Sequence, residues 1–322
     1  MGKAFILPGI TMAAVRHEYL MLYNLVNLVH SQMALCVKPA LHRAKERPLP
    51  ANGKAELESE TSMAYETILY DIVDDVAVIK MNQPQTLNAM TMKMGEELLD
   101  AVSRAAKDAR AMLVGSVGRG FCSGANLADG GIDLTDPNRD MGGNLDGIFN
   151  PIIYQMRAAE IPVVTAVKGP AAGVGCGIAL AGDMIVAGEN AIFFQAFSKV
   201  GLAPDGGSSY LLVKAIGRPR AMEMMLLGPK LKASQALEWG MINRVVADDE
   251  VDDRALDLAK ELARGPRSLG IIKRVAWAAL DVSFETALSN ERVAQREAGR
   301  TDDFSEGVAA FRDKRPAQFK GR

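Results

Sequence analysis

The segment Ile161–Asp183 reads "IPVVTAVKGPAAGVGCGIALAGD", in which a β-branched apolar run leads directly into a cluster of glycines. The run predicts a buried strand, and the small residues after it predict a helix. A similar turn, "GRGFCSGANL" at Gly118–Leu127, follows another apolar run. Two such turns suit an oxyanion hole, in which two backbone N–H groups converge on one carbonyl oxygen. Taken singly, each cluster is equally explained as a tight turn.

A dinucleotide-binding loop does not fit the glycine spacing. Gly173, Gly175 and Gly177 follow the strand. The third glycine of the G-x-G-x-x-G fingerprint would fall on Ile178 or Leu180, where a bulky side chain blocks close packing of helix on strand. The spacing therefore disfavours a nicotinamide cofactor.

The flanking sequence predicts an α/β fold with a largely parallel sheet. Ile68–Tyr70 and Val76–Met81 flank Asp74-Asp75, as in a β-hairpin. Thr91 is a candidate N-cap, and the apolar face of the helix after it is predicted to comprise Leu98, Leu99, Val102 and Ala106. "AMLVGSVG" and "PVVTAVKG" are predicted strands, and the chain after Ala221 is predicted to be nearly all helical.

The amino-acid composition limits the kinds of binding partner and the cellular compartment that we expect. A net charge of −2 over 322 residues argues against a charge-dominated nucleic-acid surface. No run reaches the roughly 18 apolar residues of a membrane-spanning helix. Three cysteines without CxxC spacing favour a reducing, cytoplasmic compartment. We expect neither a nucleic acid nor a membrane as partner.

The chain divides into three predicted parts. Residues 1–62 are predicted to be a non-catalytic extension and linker, since Lys45–Ser62 has no hydrophobic period. An organellar transit segment is the alternative for this part, and would place the protein in an organelle matrix. Residues 63–260 are predicted to form the α/β core, and residues 261–322 a helical oligomerisation part.

The positions of the three histidines exclude several kinds of active site from the predicted core. His17, His30 and His42 all precede the predicted core. A Ser-His-Asp or Cys-His nucleophile and a histidine-ligated metal are therefore not available in the core. Any acid–base chemistry there must use Asp, Glu, Tyr, Lys or Cys, and we expect no metal site.

From about Tyr65 to Arg322, the sequence resembles the crotonase, or enoyl-CoA hydratase/isomerase, superfamily. The resemblance implies a crotonase-like ββα-type core with a helical C-terminal part. The matching segments occur in the family's order: "VAVIKMNQPQTLNAM", "GFCSGANL", "PVVTAVKGPAAGVGCGIALAGD", "GLAPDGG" and "DDFSEGVAAFRDKRPAQFKG".

The resemblance implies an acyl-CoA thioester as substrate, with CoA as part of the substrate and no separate cofactor. Matched residue by residue, the oxyanion amides fall on Ala125 and Val174. The implied contacts to the CoA thioester are Ser123, Gly124, Ala125, Asn126, Leu127, Leu87, Ala89 and Gly173.

The acidic residues of this chain differ from those of the family's hydratases, which use two glutamates for catalysis. This chain has Gly177 at the first position and Gln195-Ala196-Phe197 in place of the Q-P-E segment of the second. Asp205 stands where family isomerases commonly carry their acid, so the resemblance implies a shift of a C=C bond with Asp205 as base. An apolar wall would raise its pKa. The alternatives are hydration with an unusual acid arrangement, a non-catalytic acyl-CoA-binding protein, or Asp205 as the cap of a helix beginning near Ser208.

The family's typical assembly implies a homotrimer or homohexamer. Phe304, Val308 and Phe311 form an i, i+4, i+7 apolar stripe suited to packing on another helix. The stripe could equally fold back on its own subunit.

Overall fold

The structure is a computed structural model that describes residues 65–126 and 133–322. The predicted extension, residues 1–62, and the predicted contact Leu127 lie outside the described residues.

The described chain begins with the predicted hairpin. β1 (Ile68–Val73) pairs antiparallel with β2 (Val76–Met81). Asp74 and Asp75 between them have φ angles of 50° and 63°, in the left-handed region that short polar residues tolerate better than most. The hairpin prediction is confirmed.

A six-stranded sheet organises the core in the order β1-β2-β3-β4-β6-β9. All pairs after the hairpin are parallel. The predicted α/β class is thereby confirmed. The remaining strands of this sheet are β3 (Ala111–Ser116), β4 (Val163–Val167), β6 (Met184–Gly188) and β9 (Arg244–Val246).

Helices cover both faces of the sheet. The described α-helices are α1 (Met92–Asp108), α2 (Asn150–Ala158), α3 (Val174–Leu180), α4 (Ser208–Leu227), α5 (Ala233–Glu238), α6 (Val251–Ala263), α7 (Ser268–Ala279), α8 (Phe284–Ala298) and α9 (Asp302–Asp313). Met112 and Val114 of β3 belong to the core on the α1 side, whereas Ala111 and Leu113 belong to the core on the α6 side. This alternation follows from the two-residue period of a strand.

The predicted start of α1 is correct. The Thr91 hydroxyl accepts a hydrogen bond from the Met94 N–H at 3.1 Å, as an N-cap does. Leu98 and Val102 are fully buried, whereas the other two predicted core positions, Leu99 and Ala106, are half-buried at the edge of that face.

A second, three-stranded sheet lies beside the first and carries one of the glycine turns. It has the order β5-β7-β8, with β5 at Pro170–Ala172, β7 at Ile192–Phe194 and β8 at Leu231–Lys232. β8 and β9 interrupt the region predicted as nearly all helical, and that prediction is wrong at both. Strands of two and three residues carry too short a pattern to be recognised, because their partners define them.

Helix α6 connects the predicted core to the predicted C-terminal part. α6 packs on the sheet through Val251, Ala255 and Leu258. The predicted boundary between residues 260 and 261 falls inside this helix and stays a prediction. Among the described helices, none is long and apolar enough to span a membrane.

Candidate active site

The two glycine turns lie against each other. The Cys122 N–H donates to the Pro170 carbonyl at 3.0 Å, and the Ala172 N–H donates to the Cys122 carbonyl at 2.9 Å. Gly124 and Gly173 come directly after these bonded segments in the chain. Their φ angles are 102° and 52°, which glycine adopts readily. A Cβ added to Gly173 would lie 3.9 Å from the Gly124 Cα. The backbone therefore brings the two turns into contact.

Both predicted donor amides lie on the wall of one cavity of about 500 Å³. Val174 is the first residue of α3, so its N–H has no acceptor within the helix. Around Ala125, the Gly124 carbonyl and the Asn126 N–H both bond to Met90, so the Ala125 N–H points away from Met90 in this extended segment. Two amides in such a setting can stabilise negative charge that develops on a carbonyl oxygen.

Asp205 lines the same cavity. Its Oδ1 is buried and has no hydrogen-bond partner among the described residues. Burial raises the pKa of this carboxyl group to about 6, because low polarity disfavours its charged form. A carboxylate with that pKa can accept a proton at neutral pH and hold it in the next step.

The helix-cap alternative for Asp205 is wrong. α4 begins at Ser208 with Gly207 as its N-cap, and no side chain caps it. The Ser208 N–H donates at 3.0 Å to the main-chain carbonyl of Asp205, and not to its carboxylate.

Other parts of the cavity wall were not predicted from the sequence. They include the buried Phe149 and Phe197. They also include more exposed polar residues, namely Asp133, Asp136, Arg139, Asp140 and Asn144. These polar residues lie in a stretch with no hydrophobic period, so the sequence carried no signal for them.

The predicted contact residues divide into two groups. Ser123, Gly124, Asn126 and Gly173 line the cavity together with the two amides. Leu87 and Ala89 do not line it. Leu87 instead lines a separate cavity of about 640 Å³, while its carbonyl accepts the Ser123 N–H at 3.0 Å. The Ala89 N–H is bonded to the Thr86 carbonyl at 3.3 Å.

The positions of the hydratase glutamates carry no acid. Gly177 is buried within α3, and Gln195 is fully buried beside the cavity-lining Ala196 and Phe197. Cys122 and Cys176 are fully buried, and burial raises their thiol pKa values to about 11 and about 12. Neither thiol is therefore ionised at neutral pH. Within residues 65–126 and 133–322, no cluster of three or more His, Cys, Asp or Glu could hold a metal.

Known proteins resemble this chain over most of its length. Residues 71–322 match the family model described as Enoyl-CoA hydratase/isomerase. The chain is 41% identical to 1,2-epoxyphenylacetyl-CoA isomerase of Escherichia coli, over 80% of this chain and 99% of that protein. It is 38% identical to a probable enoyl-CoA hydratase of Rhodobacter capsulatus, over 81% of this chain and 100% of that protein. A putative enoyl-CoA hydratase/isomerase of Mycobacterium abscessus, solved as a crystal structure, matches with a TM-score of 0.76 at 33% identity and covers 79% of this chain and 100% of its own.

Proposed function

Because the chain belongs to the enoyl-CoA hydratase/isomerase family, we propose that it isomerises an acyl-CoA thioester by shifting a carbon–carbon double bond. The observation that carries this proposal is the half-buried carboxylate of Asp205, whose Oδ1 is buried without a hydrogen-bond partner among the described residues, in the cavity that Ala125 and Val174 also line.

The reaction needs one acid–base group and one anion-stabilising site. The Asp205 carboxylate removes a proton from a carbon of the enoyl group, and the electron pair of that C–H bond moves into the conjugated system. Negative charge collects on the thioester oxygen, where the N–H groups of Ala125 and Val174 stabilise it. The protonated Asp205 then returns the proton to a different carbon, and the double bond forms in its new position.

Hydration fits this cavity less well. Adding water across a double bond in the manner of the family's hydratases uses two carboxylates, and this chain has Gly177 and Phe197 at those positions. A purely binding function fits less well too. Burying a carboxylate oxygen without a hydrogen-bond partner, as for Asp205 Oδ1, is unfavourable for folding, and a protein that only holds CoA thioesters gains nothing from it.

A related isomerisation is the second candidate. The relative from Escherichia coli is named for an epoxide of phenylacetyl-CoA, and Phe149 and Phe197 line the cavity here. Aromatic side chains favour a flat, cyclic acyl group through offset or edge-to-face contacts. The same acid and amides would serve this substrate.

We also propose that the protein assembles as a trimer or a pair of trimers. The C-terminal helices support this, because they leave large apolar side chains exposed: Ile272, Phe284, Leu288, Phe304 and Phe311. Ile272, Phe304 and Phe311 line one groove, and exposed apolar surface of this kind is typical of protein–protein contacts.

The decisive experiment compares Asp205→Asn with Glu189→Gln, a matched change at an exposed acid. Both variants and the wild type are assayed with 3-enoyl-, 2-enoyl-, dienoyl- and epoxyarylacetyl-CoA. We expect Asp205→Asn to lose roughly 10²–10⁴-fold in kcat and to keep its affinity for the thioester, measured by calorimetry. Its pH profile should also lose the ionisation near 6.

Glu189→Gln should retain the wild-type rate and pH profile. A folded, fully active Asp205→Asn enzyme would contradict the proposal. Water addition to 2-enoyl-CoA without isomerisation of any substrate would instead favour the hydratase alternative.

A further inference from the structure

The loop that carries Asp205 lies directly on α3 at Gly177. A Cβ added to Gly177 would lie 2.1 Å from the Gly206 carbonyl oxygen, 2.9 Å from its carbonyl carbon and 3.3 Å from its Cα. All three are backbone atoms, which cannot rotate out of the way as the end of a side chain can. No side chain therefore fits at position 177 while the loop keeps this place.

The same loop touches the preceding turn of the helix. A Cβ added to Gly206 would lie 3.1 Å from Val174 Cγ2 and 3.2 Å from Val174 Cα. Val174 and Gly177 are three residues apart and share one helix face, so the Gly206 backbone lies across that face. Asp205 is the neighbouring residue in the chain, and any shift of Gly206 moves it.

We propose that Gly177 is a positioning residue: its missing side chain lets the Gly206 backbone lie on α3 and thereby holds the Asp205 carboxylate in the cavity. This inference rests on the proposed isomerase function. It implies that a side chain at position 177 shifts the Gly206 backbone and, with it, the Asp205 carboxylate.

The test is Gly177→Ala, with Gly182→Ala as the matched control. Gly182 follows the same helix and is equally buried, but an added Cβ would meet Thr165, at 2.8 Å from Cγ2 and 2.9 Å from Oγ1. Both variants should melt at a lower temperature than the wild type. The measurements are kcat, KM, the pH profile and the melting temperature.

We expect Gly177→Ala to lose roughly 10²-fold in kcat, the loss that follows a misplacement of about 1 Å. Its KM should change little. On the acidic side of its pH–rate profile, the apparent pKa should fall from about 6 toward the ordinary pKa of an aspartate, because water then solvates the displaced carboxylate. Gly182→Ala should keep the wild-type kcat and pH profile despite its lower melting temperature.

Two results would overturn the inference: a folded Gly177→Ala enzyme with the wild-type kcat and acidic limb, or equal losses of kcat in both variants. If Gly177→Ala does not fold, Gly206→Ala moves the same loop from the Val174 side, and an unchanged acidic limb in that variant would also overturn the inference.

Asp205→Asn separates the positioning role of Gly177 from the proposed isomerase function. If Asp205→Asn is active, the isomerase mechanism fails. If Asp205→Asn is inactive and Gly177→Ala behaves as wild type, only the positioning role fails.

Discussion

The Val174 amide is a donor that one substitution removes while the helix remains. Proline lacks an N–H, and it is tolerated at the first position of a helix, where Val174 lies. We therefore expect Val174→Pro to fold and to lose roughly 10²–10³-fold in kcat, the usual loss when one oxyanion donor is removed. Steady-state kinetics and circular dichroism on the same sample measure both properties.

Ala125→Ser is the companion variant, because it keeps the backbone N–H and alters only the shape of the wall. Its kcat should fall far less than that of Val174→Pro. Full activity in a folded Val174→Pro protein would remove Val174 from the proposed oxyanion site.

Asp205 also makes folding depend on pH. Its pKa is about 6 in the folded protein, above the ordinary value of 3.8. The folded state therefore holds this proton to a higher pH than the unfolded state does, and the stability associated with it is lost as the pH rises through 6. We expect Asp205→Asn to melt at a higher temperature than the wild type above pH 6, and the difference to vanish near pH 4. Calorimetry across this range tests it, and a variant less stable than wild type at pH 8 would contradict it.

Among the elements, α7 is joined to the sheet through Asp183, the acid at the end of the glycine-rich segment. Asp183 accepts hydrogen bonds from the Val163 N–H and the Trp277 Nε1–H, both at 2.8 Å. It also pairs with Lys273 Nζ at 2.9 Å. The Lys273 side chain is buried and donates to the Met156 carbonyl at 2.6 Å. These contacts join β4, α2 and α7.

Breaking this pair should be strongly destabilising. Burial already lowers the pKa of Lys273, and Asp183 opposes that effect. Asp183→Ala leaves the ammonium group buried without its counter-ion, a change that typically costs about 3–5 kcal/mol. We expect that loss in the free energy of unfolding, measured in urea at pH 7. The double variant Asp183→Asn/Lys273→Met should recover part of it, and a loss below about 1 kcal/mol in Asp183→Ala would show that the pair is dispensable.

For the molecule as a whole, α7, α8 and α9 enclose an apolar groove of about 910 Å³. Phe304 and Phe311 line this groove and remain 54% and 86% exposed, whereas Val308 between them is half-buried, so the two phenylalanines of the predicted stripe are not buried against their own subunit in the described chain. We expect Phe311→Asp to convert the assembly to smaller species in light scattering at micromolar concentration. Ile72→Asp, at an exposed apolar residue of β1, should leave the mass unchanged. A wild-type protein that is monomeric under these conditions would defeat the proposed assembly.

Features that depend on neighbouring residues could be predicted from the amino-acid sequence. The hairpin around Asp74-Asp75, the Thr91 cap and the strands β3 and β4 follow from local periodicity and turn chemistry. The ordered motifs determined the family, and their comparison with the hydratase pattern singled out Asp205. Each of these signals lies within a few residues along the chain.

The tertiary structure alone decided the features that depend on distant residues. β8 and β9 exist because their partners pair with them, and Leu87 lies away from the amide-lined cavity because its loop folds toward another one. The raised pKa of Asp205 comes from burial by segments far apart in sequence. The contact between Gly177 and Gly206 likewise spans two intervening strands, β6 and β7. Desolvation and close packing are properties of three-dimensional proximity, which no local pattern records.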